Sequence, residues 1–252
     1  MTHHKKYTAG FTLVELAIVM IVIGLIVSGV LVGQDLIQQA RLRKVMNQLE
    51  QFDRATATFR LKYDALPGDF AQAYRFFGSF SSCTDAVSDW GNEVLGCNGN
   101  GSDYLDNIPE FLLFWAHLSL AGMVSGSYTG FPTFAEDSSS SIQMDALYLG
   151  GINVPWVGPH KGVAVAGNNE SGKLGYVLGA VVVEELLPSG PAFTTREAIT
   201  IDSKMDDGKP GTGIVVAPFA EADCIDDDEY DLSKTGVGCV LGINTGLLQV
   251  LN

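Results

Sequence analysis

The stretch Gly167-Asn168-Asn169-Glu170-Ser171-Gly172-Lys173 has the glycine and lysine spacing of a loop that cradles phosphate, and it follows a run of β character. Such a loop needs Ser or Thr next, for magnesium, and then a helix whose N-terminus faces the phosphate. Here Leu174 and Gly175 lead into Tyr176-Val177-Leu178, so a hairpin turn is expected instead. Hydrolysis finds as little support. His3 and His4 stand near the start, His117 lies in an apolar stretch and His160 follows Pro159, while no G-x-S-x-G or H-E-x-x-H spacing occurs. His117 reads as a satisfied core or interface residue and His160 as a loop residue. No catalytic residue and no enzymatic activity are expected.

Oxygen ligands are more abundant. Asn98, Asn100, Ser102 and Asp103 stand at near-alternate positions with Glu110 further on, and Asp223, Asp226, Asp227, Asp228, Glu229 and Asp231 form a second cluster. The first departs from an EF-hand, which wants Asp first, Gly sixth and the Glu one place earlier. The expectation is no metal and no cofactor, with calcium as the alternative reading of either stretch. Four cysteines fall into two close pairs, Cys83 with Cys97 and Cys224 with Cys239. Local disulfides are expected, since closing a loop of about 15 residues contributes roughly 3 kcal/mol in the chain-entropy model. Zinc is the rival, but no C-x-x-C spacing exists and histidine is scarce.

The elements that must position these groups begin with an apolar run. From Gly10 to Gly33 a single charge, Glu15, interrupts more than twenty residues, and Phe11 to Val32 is long enough to cross a hydrocarbon core of about 30 Å as a helix. A carboxylate there is costly unless it is protonated, interfacial or paired. Lys5 and Lys6 precede the run without any acid, which predicts a cytoplasmic start and an exported remainder. A secretory signal peptide fits poorly, because the run is too long, no A-x-A-like site follows and an acid stands inside it. A lipoprotein is excluded by the first cysteine being Cys83.

At Gly10-Phe11-Thr12-Leu13-Val14-Glu15 the chain resembles the type IV prepilins and the pseudopilins of type II secretion. The resemblance implies cleavage between Gly10 and Phe11 by a dedicated membrane peptidase, N-methylation of Phe11, and a role in assembly for Glu15. It also implies other pilin or pseudopilin subunits as partners, the inner membrane as the starting place and a pilus or pseudopilus as the destination. Many members carry a proline about two-thirds along the span, where this chain has Val32; Gly24, Gly29 and Gly33 remain as weaker helix-loosening positions. A head of this size leans toward a minor or specialised subunit. Outside the family, the alternative is a membrane-anchored periplasmic binding protein.

Beyond the span, 34–63 contains no Gly or Pro. Leu42, Val45, Leu49, Phe52, Thr56, Phe59 and Tyr63 form a stripe at steps of three and four, opposite Arg41, Arg43, Lys44, Glu50, Arg54, Arg60 and Lys62. One long helix from Phe11 to about Tyr63 is therefore predicted, with residues 1–10 as leader, 11–33 as the membrane half, 34–63 as the amphipathic half and 64–252 as a globular head. Residues 64–252 hold seven Lys or Arg against twenty-five Asp or Glu, which argues against a nucleic-acid partner. In the head, Pro67-Gly68 predicts a turn, 70–77 a short helix, 78–107 a stapled loop and 108–122 a buried helix. Antiparallel strands are expected at 146–149, 162–166, 174–183 and 213–217, with a helix at 195–207. The fold class is thus α+β, a long N-terminal helix packed on an antiparallel-sheet head.

Overall fold

In a computed structural model of the chain, the described residues are 13–80, 83–88, 96–105, 108–126, 128, 133–134, 142–143, 161–166, 175–180, 190–217 and 223–244. They form α1 (Leu13–Tyr63), α2 (Ala73–Phe77), β1 (Thr84–Val87), β2 (Gly96–Asn98), α3 (Ile108–Leu120), β3 (Thr133–Phe134), β4 (Ile142–Gln143), β5 (Lys161–Ala166), β6 (Gly175–Ala180), β7 (Phe193–Thr194), α4 (Thr195–Met205), β8 (Val215–Val216), β9 (Ile225–Asp226), β10 (Glu229–Tyr230), β11 (Val237–Cys239) and β12 (Leu241–Asn244). The architecture is α+β. Chain contacts divide it into two compact units, Met1–Arg43 and Lys44–Asn252.

The described part of the first unit is helix throughout. Its large apolar side chains from Leu13 to Ile37 are exposed, including Leu25 and Ile26, and Glu15 stands in the first turn. Among the described residues, α1 is the one helix long and apolar enough to cross a membrane, and none of its apolar window is buried.

In the second unit the amphipathic stripe meets a core. Val45, Leu49, Phe52, Thr56 and Phe59 are buried, whereas Lys44, Glu50, Arg54 and Lys62 are exposed. Phe52 meets Trp115 of α3 edge to face, with ring centroids 4.9 Å apart, and Tyr176 of β6 at 6.2 Å. Residues 112–118 of α3 are all buried, as a helix apolar on every face should be. It ends in a Schellman turn: Met123 N–H donates to the Leu118 carbonyl, and Gly122, at φ 71°, donates to Ser119.

The largest sheet has the order β5-β6-β12-β8 and is antiparallel throughout. Tyr176 pairs with Ile243 and Val165, and Ile243 also pairs with Val215. All six residues of β6 are buried, in keeping with a continuous apolar run and not an alternating one. The smaller pairs β3-β4, β7-β11 and β9-β10 are antiparallel. The pair β1-β2 is parallel, with an irregular register. It corrects the reading of 78–107 as loop alone and breaks the antiparallel pattern. Short strands there lie too close to Gly, Ser and Asp to stand out as β runs.

Other boundaries moved by a few residues. α2 begins at Ala73, because Phe70 to Gln72 form turns around Asp69, and α4 ends at Met205, where the Asp206 carboxylate caps the following turn. The strand expected at 146–149, the turn at 167–173 and His160 lie outside the described residues.

Candidate assembly segment and polar sites of the head

Glu15 lies in the first helical turn of α1, where the partial positive charge of the unpaired N–H groups favours a carboxylate. Gly10 and Phe11, the expected cleavage and methylation positions, lie outside the described residues. Gly24, Gly29 and Gly33 have open space around the position of a Cβ.

In the second unit, the turn after α1 organises the first polar site. Gly68, at φ 91°, donates its N–H to His117 Nδ1 at 2.9 Å, and a Cβ on Gly68 would collide with the Glu110 carbonyl. Nδ1 therefore accepts, Nε2 carries the proton, and Nε2 meets the Cys97 carbonyl at 3.0 Å. His117 is wholly buried, and this desolvation lowers its pKa to about 4, against an opposing effect of the Cys97 carbonyl.

Beside it, the buried Asp69 carboxylate accepts the backbone N–H groups of Gly101 and Ser102 on Oδ1 and of Asp103 on Oδ2. Burial raises its pKa while those three N–H groups act the other way. Cys83 and Cys97 are joined, with Cα atoms 5.2 Å apart. The oxygens considered for calcium here have internal partners: Asn98 Oδ1 accepts from Tyr74 N–H, Asn100 Oδ1 from Ser102 N–H and Glu110 Oε1 from Asn100 N–H. Asp103 pairs with Arg60 at 3.8 Å.

The second polar site surrounds α4. Thr194 and Glu197 form a reciprocal capping box at its start. Buried Asp202 accepts from Gly208 N–H at 2.9 Å and from the Tyr230 hydroxyl at 2.8 Å. Burial raises its pKa, and Asp207 and Asp206 add to the rise. Asp206 accepts from the N–H groups of Ile214 and Val215, and Asp207 from Lys209 N–H and the Thr212 hydroxyl. One oxygen from each of Asp202, Asp206 and Asp207 lies within 4.8 Å of the others, a grouping that could hold a metal ion. Cys224 and Cys239 are joined, with Cα atoms 5.1 Å apart. Asp223, just before the first of them, pairs with Lys234 at 3.7 Å; between them, Asp231 caps Ser233, and Asp227 and Asp228 form the exposed turn of the β9-β10 hairpin.

Two groupings were not anticipated from the residues in order. The convergence of Asp202, Asp206 and Asp207 had a partial signal, since an (i, i+4) pair on one helix face shares a side. The approach of Asp53 on α1 to Tyr176 on β6 had none, because it joins residues 123 positions apart in pattern-neutral settings.

Residues 5–31 match the family model described as "Prokaryotic N-terminal methylation motif". No curated protein and no solved structure matches the chain.

Proposed function

Because residues 5–31 are a prepilin-type methylation segment, and the chain is in that respect type IV pilin- or pseudopilin-like, we propose that it is a structural subunit of a type IV pilus or type II secretion pseudopilus, not an enzyme. The observation that carries this reading is the continuity of the matched segment with α1, whose apolar side chains from Leu13 to Ile37 are exposed as a membrane helix requires. The leader 1–10 is cytoplasmic and is removed after Gly10. Phe11 becomes the N-methylated first residue. Residues 11–33 hold the subunit in the inner membrane, 34–63 continue as the amphipathic half, and the head 64–252 is exported. The partners are the prepilin peptidase and methyltransferase and other pilin or pseudopilin subunits. Paired cysteines suit an oxidising compartment.

The test is the mass and N-terminal sequence of protein extracted from membranes that contain or lack the prepilin peptidase. The expected product begins at N-methylphenylalanine 11 only where the peptidase is present. A retained leader in its presence, or a mature start beyond Val32, overturns the reading. The head of residues 64–252 favours, as a second reading, a minor subunit present in few copies. Stoichiometry in sheared fibres separates the two.

A further inference from the structure

Asp53, Thr56 and Arg60 lie on one stripe of α1, three and four residues apart. Asp53 Oδ1, Thr56 Oγ1 and Arg60 Nη1 are buried, and none of them makes an aligned hydrogen bond; the same is true of the Tyr176 hydroxyl on β6. Thr56 and Tyr176 are each only 1% exposed. The Tyr176 oxygen sits next to both Asp53 and Thr56. Around the Tyr176 ring stand the rings of Phe52, Phe114 and Trp115, with centroids 6.2, 6.5 and 6.3 Å from its own. A polar cluster walled by aromatic rings is costly unless its members satisfy one another.

The two hydroxyls can donate to either form of the Asp53 carboxyl, so the charge decides how well the buried cluster closes. A carboxylic acid at Asp53 brings a third O–H to the hydroxyls of Thr56 and Tyr176, so the cluster can close without charge. A carboxylate is an acceptor only, and with Oδ1 buried it leaves negative charge out of water. Glu50, one turn back on α1, adds like charge. We propose that Asp53, Thr56 and Tyr176 form a proton-operated latch between α1 and the four-stranded sheet, closed when Asp53 is neutral and loosened when it ionises. The groups facing Asp53 among the described residues support this. Glu50 is paired with Arg54 at 3.8 Å, Arg60 reaches Asp103, and Tyr176 is itself held neutral by burial; α3 brings the rings of Phe114 and Trp115 against the Tyr176 ring. Burial raises the Asp53 pKa to about 6, with the nearby Tyr176 hydroxyl lowering it and Glu50 raising it. A folded pKa above the usual carboxylate value means that the docked state holds its proton more tightly. Docking is therefore strongest in acid and is lost progressively as pH rises through about 6.

Hydrogen exchange on the full chain in detergent micelles tests the latch through peptides covering 44–63 and 175–180, corrected for intrinsic exchange. Wild-type protection should fall roughly five- to tenfold between pH 5 and pH 7, as expected from proton linkage for a partly exposed acid with this shift. Asp53→Asn should abolish that difference. Tyr176→Phe keeps the ring but removes a donor to the carboxylate, so the midpoint should move to higher pH. Equal wild-type protection at the two pH values, or a wild-type difference in Asp53→Asn, overturns the proposal. If Asp53→Asn does not fold, Tyr176→Phe decides, and an unmoved midpoint overturns it.

Discussion

His117 accepts the backbone N–H of Gly68 through Nδ1 at 2.9 Å, so the turn that ends α1 is held only by a neutral ring. The folded pKa of about 4 lies below the unfolded value of 6.5, and the unfolded chain takes up the proton first as pH falls. Stability from keeping this buried ring neutral is complete above about 6.5 and is lost between there and 4, amounting to roughly 3 kcal/mol. Histidine-ring nitrogen NMR should show His117 as the Nε2–H tautomer at pH 5.5. A His117 midpoint at or above 6.5 would contradict the geometry.

Asp69→Ala should be among the more damaging single substitutions in the head. It leaves the N–H groups of Gly101, Ser102 and Asp103 without their carboxylate acceptor. A cost of about 2 to 4 kcal/mol is expected, given partial rescue by water at this exposed loop. Thermal unfolding of the variant beside Asp69→Asn, which keeps one acceptor oxygen, measures it; a loss under about 0.5 kcal/mol for Asp69→Ala would defeat the argument.

Much of this was legible in the order of residues, and the reasons differ by element. The stripe from Val45 to Phe59 showed α1 because every third or fourth position is apolar, and the structure buries that stripe. The start of α4 at Thr195 and the end of α3 before Gly122 fall close to the bounds read from sequence, since capping is a local chemistry. The central strand β12 was missed because Leu241 to Asn244 is four residues beside glycines and cysteines, and its pairing with β6 and β8 is set by distant partners. Asp69, just before the segment 70–77, has the position and chemistry of a helix cap. Its partners lie thirty-odd residues away, which no local pattern reports.

Peptide mapping without reduction should recover Cys83 with Cys97 and Cys224 with Cys239. Replacing either pair by alanine should cost about 2 to 4 kcal/mol, seen as a lower unfolding midpoint in denaturant. Any cross-pair, such as Cys83 with Cys224, would refute the two-loop arrangement.

Glu15→Leu should leave membrane insertion and leader removal intact while reducing incorporation into fibres. On the proposed function, cleavage after Gly10 would place a positive amine on Phe11, and Glu15 lies four residues further along, roughly 6 Å on a helix axis. In low dielectric an amine and a carboxylate from neighbouring subunits attract strongly, and leaving either charge unpaired is costly. If Glu15 only stabilises its own helix start, the effect is about 0.3 to 1 kcal/mol and incorporation stays normal. The variant's ratio between sheared fibres and the membrane pool, with and without wild-type subunits, separates the two; normal incorporation in both settings rules out pairing.

The carboxylate of Asp69 gives the loop at 101–103 its course by gripping main-chain groups and not side chains. Instructions for the loop's shape are thus written upstream of the loop itself. Position 104, exposed, is consequently open to variation in size, charge or a grafted label, while the Ser102 hydroxyl bonds the main chain of Tyr104 and proline at 102 or 103 is barred by the N–H it would remove. The surface of this unit can be rewritten there without redrawing the backbone beneath it.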